Sequence, residues 1–216
     1  MKKNNTFYDS KEETLNVITH GIGFLLSIAA LVLLVVYASR DGNVWHLTSF
    51  AIFGASLILL YAASTLYHYT QNPDLRIKLN ILDHAAIYVL IAGTYTPFTL
   101  VILKGWVGWT IFGLSWGLAI IGIIFKVFYF GKYDKISTIA YVLMGWVIIL
   151  AIKPLIDNFP LPGLLWLFSG GLAYSIGALF YSIKRIRFNH AIFHVCVLMG
   201  SFCHFMAIFF YVLPSK

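Results

Sequence analysis

The sequence predicts an all-α protein, a seven-transmembrane helix bundle that makes one integral membrane domain of residues 1–216. Three observations carry that prediction. The chain is 60% hydrophobic and 11% charged, whereas a soluble domain carries about 25% charged residues. It contains seven apolar runs of the roughly 20 residues that a helix needs to cross the hydrocarbon core. Its basic residues gather in alternate connections between those runs, as they do when they orient helices in a bilayer. Lipid offers the backbone no hydrogen bonds, so each span must be an internally bonded helix. A mean hydropathy of +0.85 excludes a secreted disulfide scaffold, an ordinary cytosolic enzyme and a disordered chain.

The first run, 15–37, follows Lys2, Lys3, Asp9, Lys11, Glu12 and Glu13. It is of full transmembrane length, so it is expected to stay attached and not to be cleaved as a signal. Ser10 and Glu13 have capping-box spacing, which predicts a helix that begins in water before it enters the bilayer. The turn residues Asp41-Gly42-Asn43 lead to the second run, 45–67, and Asn72-Pro73-Asp74 to the third, 79–103, where Pro97 predicts a kink. Lys104-Gly105 precedes the fourth, 106–125, whose Gly113 and Gly117 form a small-xxx-small pair that predicts close helix packing. Trp45, Trp106 and Trp109 stand at span ends, as interfacial anchors do. The fifth and sixth runs, 136–156 and 161–183, are divided by the stretch from Pro154 to Pro162. The seventh, 191–213, holds Cys196 and Cys203, which a helix separates by roughly 10 Å, too far for a mutual disulfide. No internal repeat is evident, which speaks against an inverted-repeat transporter.

The formal charge of +7 could suggest a nucleic-acid partner, but the placement of the 15 basic residues argues for topology instead. On one side lie Lys2, Lys3, Lys11, Arg76, Lys78, Lys126, Lys132, Lys135, Lys184, Arg185 and Arg187. The other side holds only Arg40, Lys104, Lys153 and Lys216. By the positive-inside rule the amino terminus is cytoplasmic and the carboxyl terminus extracytoplasmic. The expected partners are membrane lipids, one of them a candidate substrate.

Ionisable side chains inside a span are unfavourable, and each is a functional hypothesis by default. His68 closes the second span, Asp83 lies about one turn into the third, and His190 and His194 open the seventh, all at one membrane depth. His190 and His194, four apart, share a helix face at successive turns, a spacing suited to chelating one metal ion. With His68 they make three nitrogen ligands, which leaves a tetrahedral zinc one position for water or substrate. Ser64 precedes His68 by one turn on the same face. Asp83 is placed to orient a ligand or to accept a proton from bound water. The bland alternatives are three interfacial histidines bonded to backbone or water, and a serine that only packs helices.

The other histidines are set apart by geometry. His204 lies about 15 Å further along the helix than His194 and cannot bind the same ion, so an interhelical bond is expected of it. His84 points about 100° away from Asp83 around the helix, which makes joint participation doubtful. His46 lies at the outer interface and needs no function. Glu13, Asn16 and His20 draw a polar stripe that is expected to face the bundle, either to support the site or as a hydrogen-bonded seam, with His20 as the reserve ligand.

These residues resemble the hemolysin III family, the bacterial branch of the progestin and adiponectin receptor superfamily, within the wider group that includes alkaline ceramidases. The resemblance spans nearly the whole chain. It rests on Glu13-x-x-Asn16-x-x-Thr19-His20, Ser64-x-x-x-His68, Asp83-His84, Gly93-Thr94-Tyr95-Thr96-Pro97-Phe98 and His190-x-x-x-His194. It implies a seven-helix fold with a cytoplasmic amino terminus and Zn²⁺ held by His68, His190 and His194. Ser64 and Asp83 would then stand beside the metal and its water, either supporting its ligands or taking part in the chemistry. The long soluble amino-terminal region of the eukaryotic receptors is absent, so hormone reception is not expected.

Two functions follow as expectations. One is a zinc-dependent hydrolase of lipid amides or esters near the cytoplasmic leaflet, with Asp83 as proton acceptor and Ser64 stabilising an oxyanion. The other is a non-enzymatic protein in which zinc is structural: membrane-active and cytolytic, homeostatic or lipid-sensing. Cytolysis would need a pore or bilayer disruption, and no span carries a long charged stripe to line a wide channel.

Overall fold

The computed structural model describes residues 7–129 and 131–213; Lys2, Lys3 and Lys216, counted above for topology, lie outside them. Seven helices are long and apolar enough to cross a membrane: α1 Ser10–Asp41, α2 Val44–Tyr69, α3 Pro73–Leu103, α4 Gly105–Phe128, α5 Lys135–Asn158, α6 Leu161–Ser182 and α7 Asn189–Tyr211. Most extend beyond the apolar runs, because a helix once nucleated continues into polar flanks until a cap stops it. No strand is formed among the described residues. Cys196 and Cys203 are free.

Local chemistry sets the helix starts. The Asn43 side chain accepts from the backbone N–H of Trp45 and His46, while the backbone N–H of Asn43 donates to His46 Nδ1 at 3.2 Å. His46 thus closes a capping box, a structural task that satisfies two orphan donors of the helix end. Asn72 Oδ1 accepts from Asp74 and Leu75, each at 3.0 Å, with Pro73 in the first turn of α3. The capping box expected from Ser10 and Glu13 does not form. Asp9 caps α1 through Lys11, and the Glu13 carboxylate turns inward, where buried partners hold it.

Neighbours in sequence pack side by side, and α7 also packs against α1, so the helices close into a ring. α3 is the most buried span. It runs between α2 on one side and α4 and α5 on the other. α5 touches α6 only sparsely compared with the long contact between α6 and α7. Outward faces carry exposed apolar side chains such as Leu25, Leu26, Ile121 and Leu150, as a lipid solvent requires. Trp45, Trp106 and Trp109 are also exposed, and Trp45 meets Trp109 edge to face.

One expectation about packing needs correction. A Cβ added at Gly113 or Gly117 would meet nothing within 4 Å, so this pair makes no close helix contact among the described residues. A small-residue spacing shows that approach is allowed, not that a neighbour lies on that face. Arg76 and Lys126, which the basic count assigns to connections on one side of the membrane, are both buried, at 3% and 2% exposure.

Pro97 does perturb α3: the α-helix ends there and Phe98–Leu103 continues as a π-helix, a common consequence of disturbing the regular backbone ladder. α5 is broken as well. It changes from α to 3-10 geometry at Val147–Ala151. The Tyr95 hydroxyl bridges this break, lying 2.8 Å from Gly145 O and 3.0 Å from Met144 O while accepting from the backbone N–H of Ile148 at 3.0 Å. Tyr95→Phe is therefore expected to lower stability by about 1–3 kcal/mol, the usual consequence of leaving buried polar groups unmatched. Unfolding of the purified variant in mixed micelles checks this; an unchanged midpoint would show the bridge to be dispensable.

Candidate metal centre

The amino-terminal ends of α1, α3 and α7 and the carboxyl-terminal end of α2 bring the predicted site residues to one end of the bundle. His68, His190 and His194 are all but fully buried, at 1%, 4% and 1% exposure. His190 Nε2 lies 3.1 Å from His68 Nε2 and 3.1 Å from His194 Nε2. Each ring offers one nitrogen to a cluster whose members all lie within 4.8 Å of one another. These three residues could hold a metal ion.

The proton inventory supports that fit. His68 Nδ1 meets Glu13 Oε2 at 2.6 Å, a charge-assisted contact that places a proton on Nδ1 and, in the neutral ring that binds metal, leaves a lone pair on Nε2. The Thr19 hydroxyl donates to Leu15 O at 2.8 Å and lies 3.4 Å from His194 Nδ1. With its single proton so engaged, Thr19 can only accept from His194. His194 Nε2 is then a lone pair too. At most one proton, on His190 Nε2, is left between three converging nitrogens, and it cannot serve both neighbours well. A cation can. Ligand nitrogens in a tetrahedral site with metal–nitrogen bonds of about 2.0–2.1 Å stand about 3.3 Å apart, close to the two spacings observed.

The surrounding residues hold these rings in place. Glu13 also pairs with the buried Arg76 and accepts from the backbone N–H of Tyr8 at 3.0 Å. Arg76 in turn donates to Tyr67 O at 3.0 Å and lies against the rings of Phe7 and Tyr67. Glu12 accepts from the backbone N–H of His190 at 3.0 Å. It thereby caps α7 from another helix, where a carboxylate also complements the helix dipole. The Tyr8 ring stacks on His190 with centroids 4.5 Å apart. Burial, then the neighbouring Tyr181 and Tyr67 and the carboxylates of Asp83 and Glu12, push the Tyr8 phenol far above its ordinary range. It stays a neutral hydroxyl.

Ser64 and Asp83 border the same cavity as His190 and His194. Ser64 Oγ is buried and has no hydrogen-bond partner. Most helical Ser and Thr in the bundle bond a carbonyl three or four residues back, as Ser56, Thr65, Thr94 and Ser175 do. Ser64 forgoes that local bond. Asp83 is 8% exposed.

The stripe of Glu13, Asn16 and His20 does face the bundle, at 9%, 0% and 2% exposure. His20 stacks on His194 with ring centroids 3.5 Å apart, yet neither of its nitrogens has a partner and it is not part of the three-histidine cluster. His84, expected to point away from Asp83, nevertheless lines the cavity with it. His84 Nδ1 lies 2.8 Å from Asn80 O. His204 binds between helices as expected, through Nε2 to Leu167 O at 3.1 Å. The orienting task assigned to Asp83 falls to Glu13 for His68. Arg76, Glu12, Tyr8 and Thr19 were not singled out individually; only Thr19 stood within a recognised motif.

Carboxylates that orient a metal-ligating histidine typically raise affinity ten- to a hundredfold. Glu13→Gln is thus expected to weaken metal binding by roughly ten- to a hundredfold, measured by competition with a chromogenic chelator. Wild-type affinity in the variant would dismiss the Glu13–His68 pair as incidental.

A family model described as "Haemolysin-III related" matches residues 8–205. "Hemolysin-3" of Bacillus cereus is 50% identical over 95% of this chain and 94% of its own. "Hemolysin-3 homolog" of Bacillus subtilis is also 50% identical, over 93% and 94% of the two chains. The human "Monocyte to macrophage differentiation factor" is 27% identical over 94% of this chain and 86% of its own.

Proposed function

The chain belongs to the haemolysin III-related family, and from that premise we propose that it is a zinc-dependent hydrolase of lipid amides or esters acting near the cytoplasmic leaflet. It is a multi-pass integral protein of the cell membrane. One observation carries the proposal: three histidine nitrogens converge, and two of those rings, His190 and His194, line a largely apolar cavity that Ser64 and Asp83 also line.

Three neutral imidazoles favour a borderline metal such as zinc over oxygen-seeking magnesium or calcium. His68, His190 and His194 would hold it. Bound there, Zn²⁺ would lower the pKa of a water to about 7 and polarise a carbonyl. The chain's own groups supply the rest. Asp83 takes the proton of the attacking water at a carboxylate oxygen and returns it to the leaving amine or alcohol. Ser64, whose hydroxyl is not engaged by its own helix, donates to the oxyanion. Glu13 and Thr19 keep the imidazoles in the ligating tautomer.

The cavity suits a lipid tail. It extends from Ser64 and Asp83 to Leu167 and His204, and His194 and His204 on its wall lie about 15 Å apart along α7. That elongated, largely apolar lining matches one extended acyl chain. The basic residues on the connections at the site's end agree with a cytoplasmic location.

Comparing the lipids of membranes that contain the wild-type protein with those that contain Asp83→Asn tests the proposal. Depletion of one lipid class, with free fatty acid rising, is expected only with the wild type. Identical lipid profiles would favour a second reading, in which the metal only fastens helices. One observation supports that reading: α2 and α7 meet through the cluster itself, and Glu12, Glu13 and Thr19 bind α1 to it.

A further inference from the structure

The cavity has a second polar station at its far end, which the chemistry at the three histidines does not use. His204, from α7, lines the cavity and is 6% exposed. Its Nε2 faces the carbonyl oxygen of Leu167 at 3.1 Å. A carbonyl only accepts, so the proton resides on Nε2 and Nδ1 presents a lone pair. That lone pair is buried and has no hydrogen-bond partner. Beside it, Tyr174 also lines the cavity, its ring 5.3 Å from that of His204. The Tyr174 hydroxyl is tied to Ser201 Oγ at 2.9 Å, and Ser201 Oγ accepts from Tyr61 at 2.7 Å.

The helices are shaped around these two rings. A Cβ at Gly170 would lie 2.5 Å from the His204 imidazole, and one at Gly200 would lie 2.7 Å from the Tyr174 ring. Only glycine at each place lets the ring lie against the facing backbone. An unmatched acceptor buried in apolar surroundings is unfavourable unless something completes it. What completes it must donate, and the cavity that the His204 ring lines is the nearest space from which a donor can come.

We propose that this station binds a hydroxyl carried on the apolar chain of the ligand, so that the cavity selects hydroxylated long-chain acyl groups, with His204 Nδ1 as acceptor and Tyr174 beside it. The inference rests on reading the cavity as an acyl passage. The selected hydroxyl stands well along the chain, because His204 is about 15 Å from the His194 end of the cavity.

The test is competition binding followed by native mass spectrometry of the purified zinc-loaded protein, with octadecanoate against hydroxyoctadecanoates substituted at successive chain positions. One mid-chain isomer is expected to bind about five- to tenfold more tightly than octadecanoate, the gain typical of one buried neutral hydrogen bond. In His204→Phe that gain is expected to vanish while octadecanoate still binds. Phenylalanine keeps a flat ring in this place at a modest gain in volume, and Leu167 O retains its place in α6, so the variant can fold. Octadecanoate bound without preference for any hydroxylated isomer, or a preference that persists in His204→Phe, would overturn the station alone. Failure of every acid to bind would overturn the acyl passage and the station with it.

Discussion

Purified His68→Ala/His194→Ala protein is expected to contain no bound metal, against one zinc per chain in the wild type. Two of the three nitrogens are then gone, and a single histidine in a buried site cannot replace the hydration of a divalent cation. The single variants should lose most of their affinity as well. His20 will not substitute: its ring lies face to face with that of His194 at 3.5 Å, so its nitrogens do not point to the centre of the cluster. Inductively coupled plasma measurement after gel filtration reads the outcome. Stoichiometric zinc in the double variant would place the metal elsewhere. The same substitutions should loosen the bundle, because α2 and α7 then lose two of the three imidazoles that join them and, with those, the proposed ion.

Asp83→Asn is expected to keep the metal and the fold but to lower lipid hydrolysis by about 10²- to 10⁴-fold, the usual contribution of a positioned general base. The expectation follows from position. Asp83 is not among the three nitrogen donors and borders the same cavity as Ser64. Asparagine has nearly the same shape, so packing is preserved while the proton acceptor is lost. Fatty-acid release from a panel of lipid amides and esters, beside metal analysis of the same preparation, separates the possibilities. Turnover unchanged in the variant would exclude Asp83 as the base. Turnover and zinc lost together would make it a structural group of the metal site.

Much of this was legible in the sequence because membrane proteins obey few and strong rules. An apolar run of span length has to be a helix. His68, Asp83 and the His190/His194 pair lie near span ends, so counting crossings alone brings them to one depth. The i, i+4 spacing then fixes a shared face. What sequence could not supply were contacts between distant helices that involve short polar flanks. Glu12 caps a helix that begins 177 residues later, at Asn189. Glu13 looked like the partner of Ser10 because local spacing is visible, but a buried imidazole and guanidinium claim its carboxylate more strongly. Arg76 read as a topological charge for the same reason: nothing local shows that its side chain turns into the bundle. Gly113 and Gly117 erred in the opposite direction, since a smooth helix face does not reveal whether a neighbour will use it. Ser64 stands one turn before His68 in the sequence, yet only the structure shows that its hydroxyl declines the helix carbonyl.

X-ray absorption at the zinc edge of the purified wild-type protein reads the proposed three-histidine site itself. One zinc per chain is expected, with three imidazole nitrogens at about 2.0–2.1 Å and an oxygen in the remaining position, and that signature is expected to be lost in His68→Ala/His194→Ala. Metal-free protein that is fully folded, or a zinc surrounded by ligands other than these three imidazoles, would contradict it.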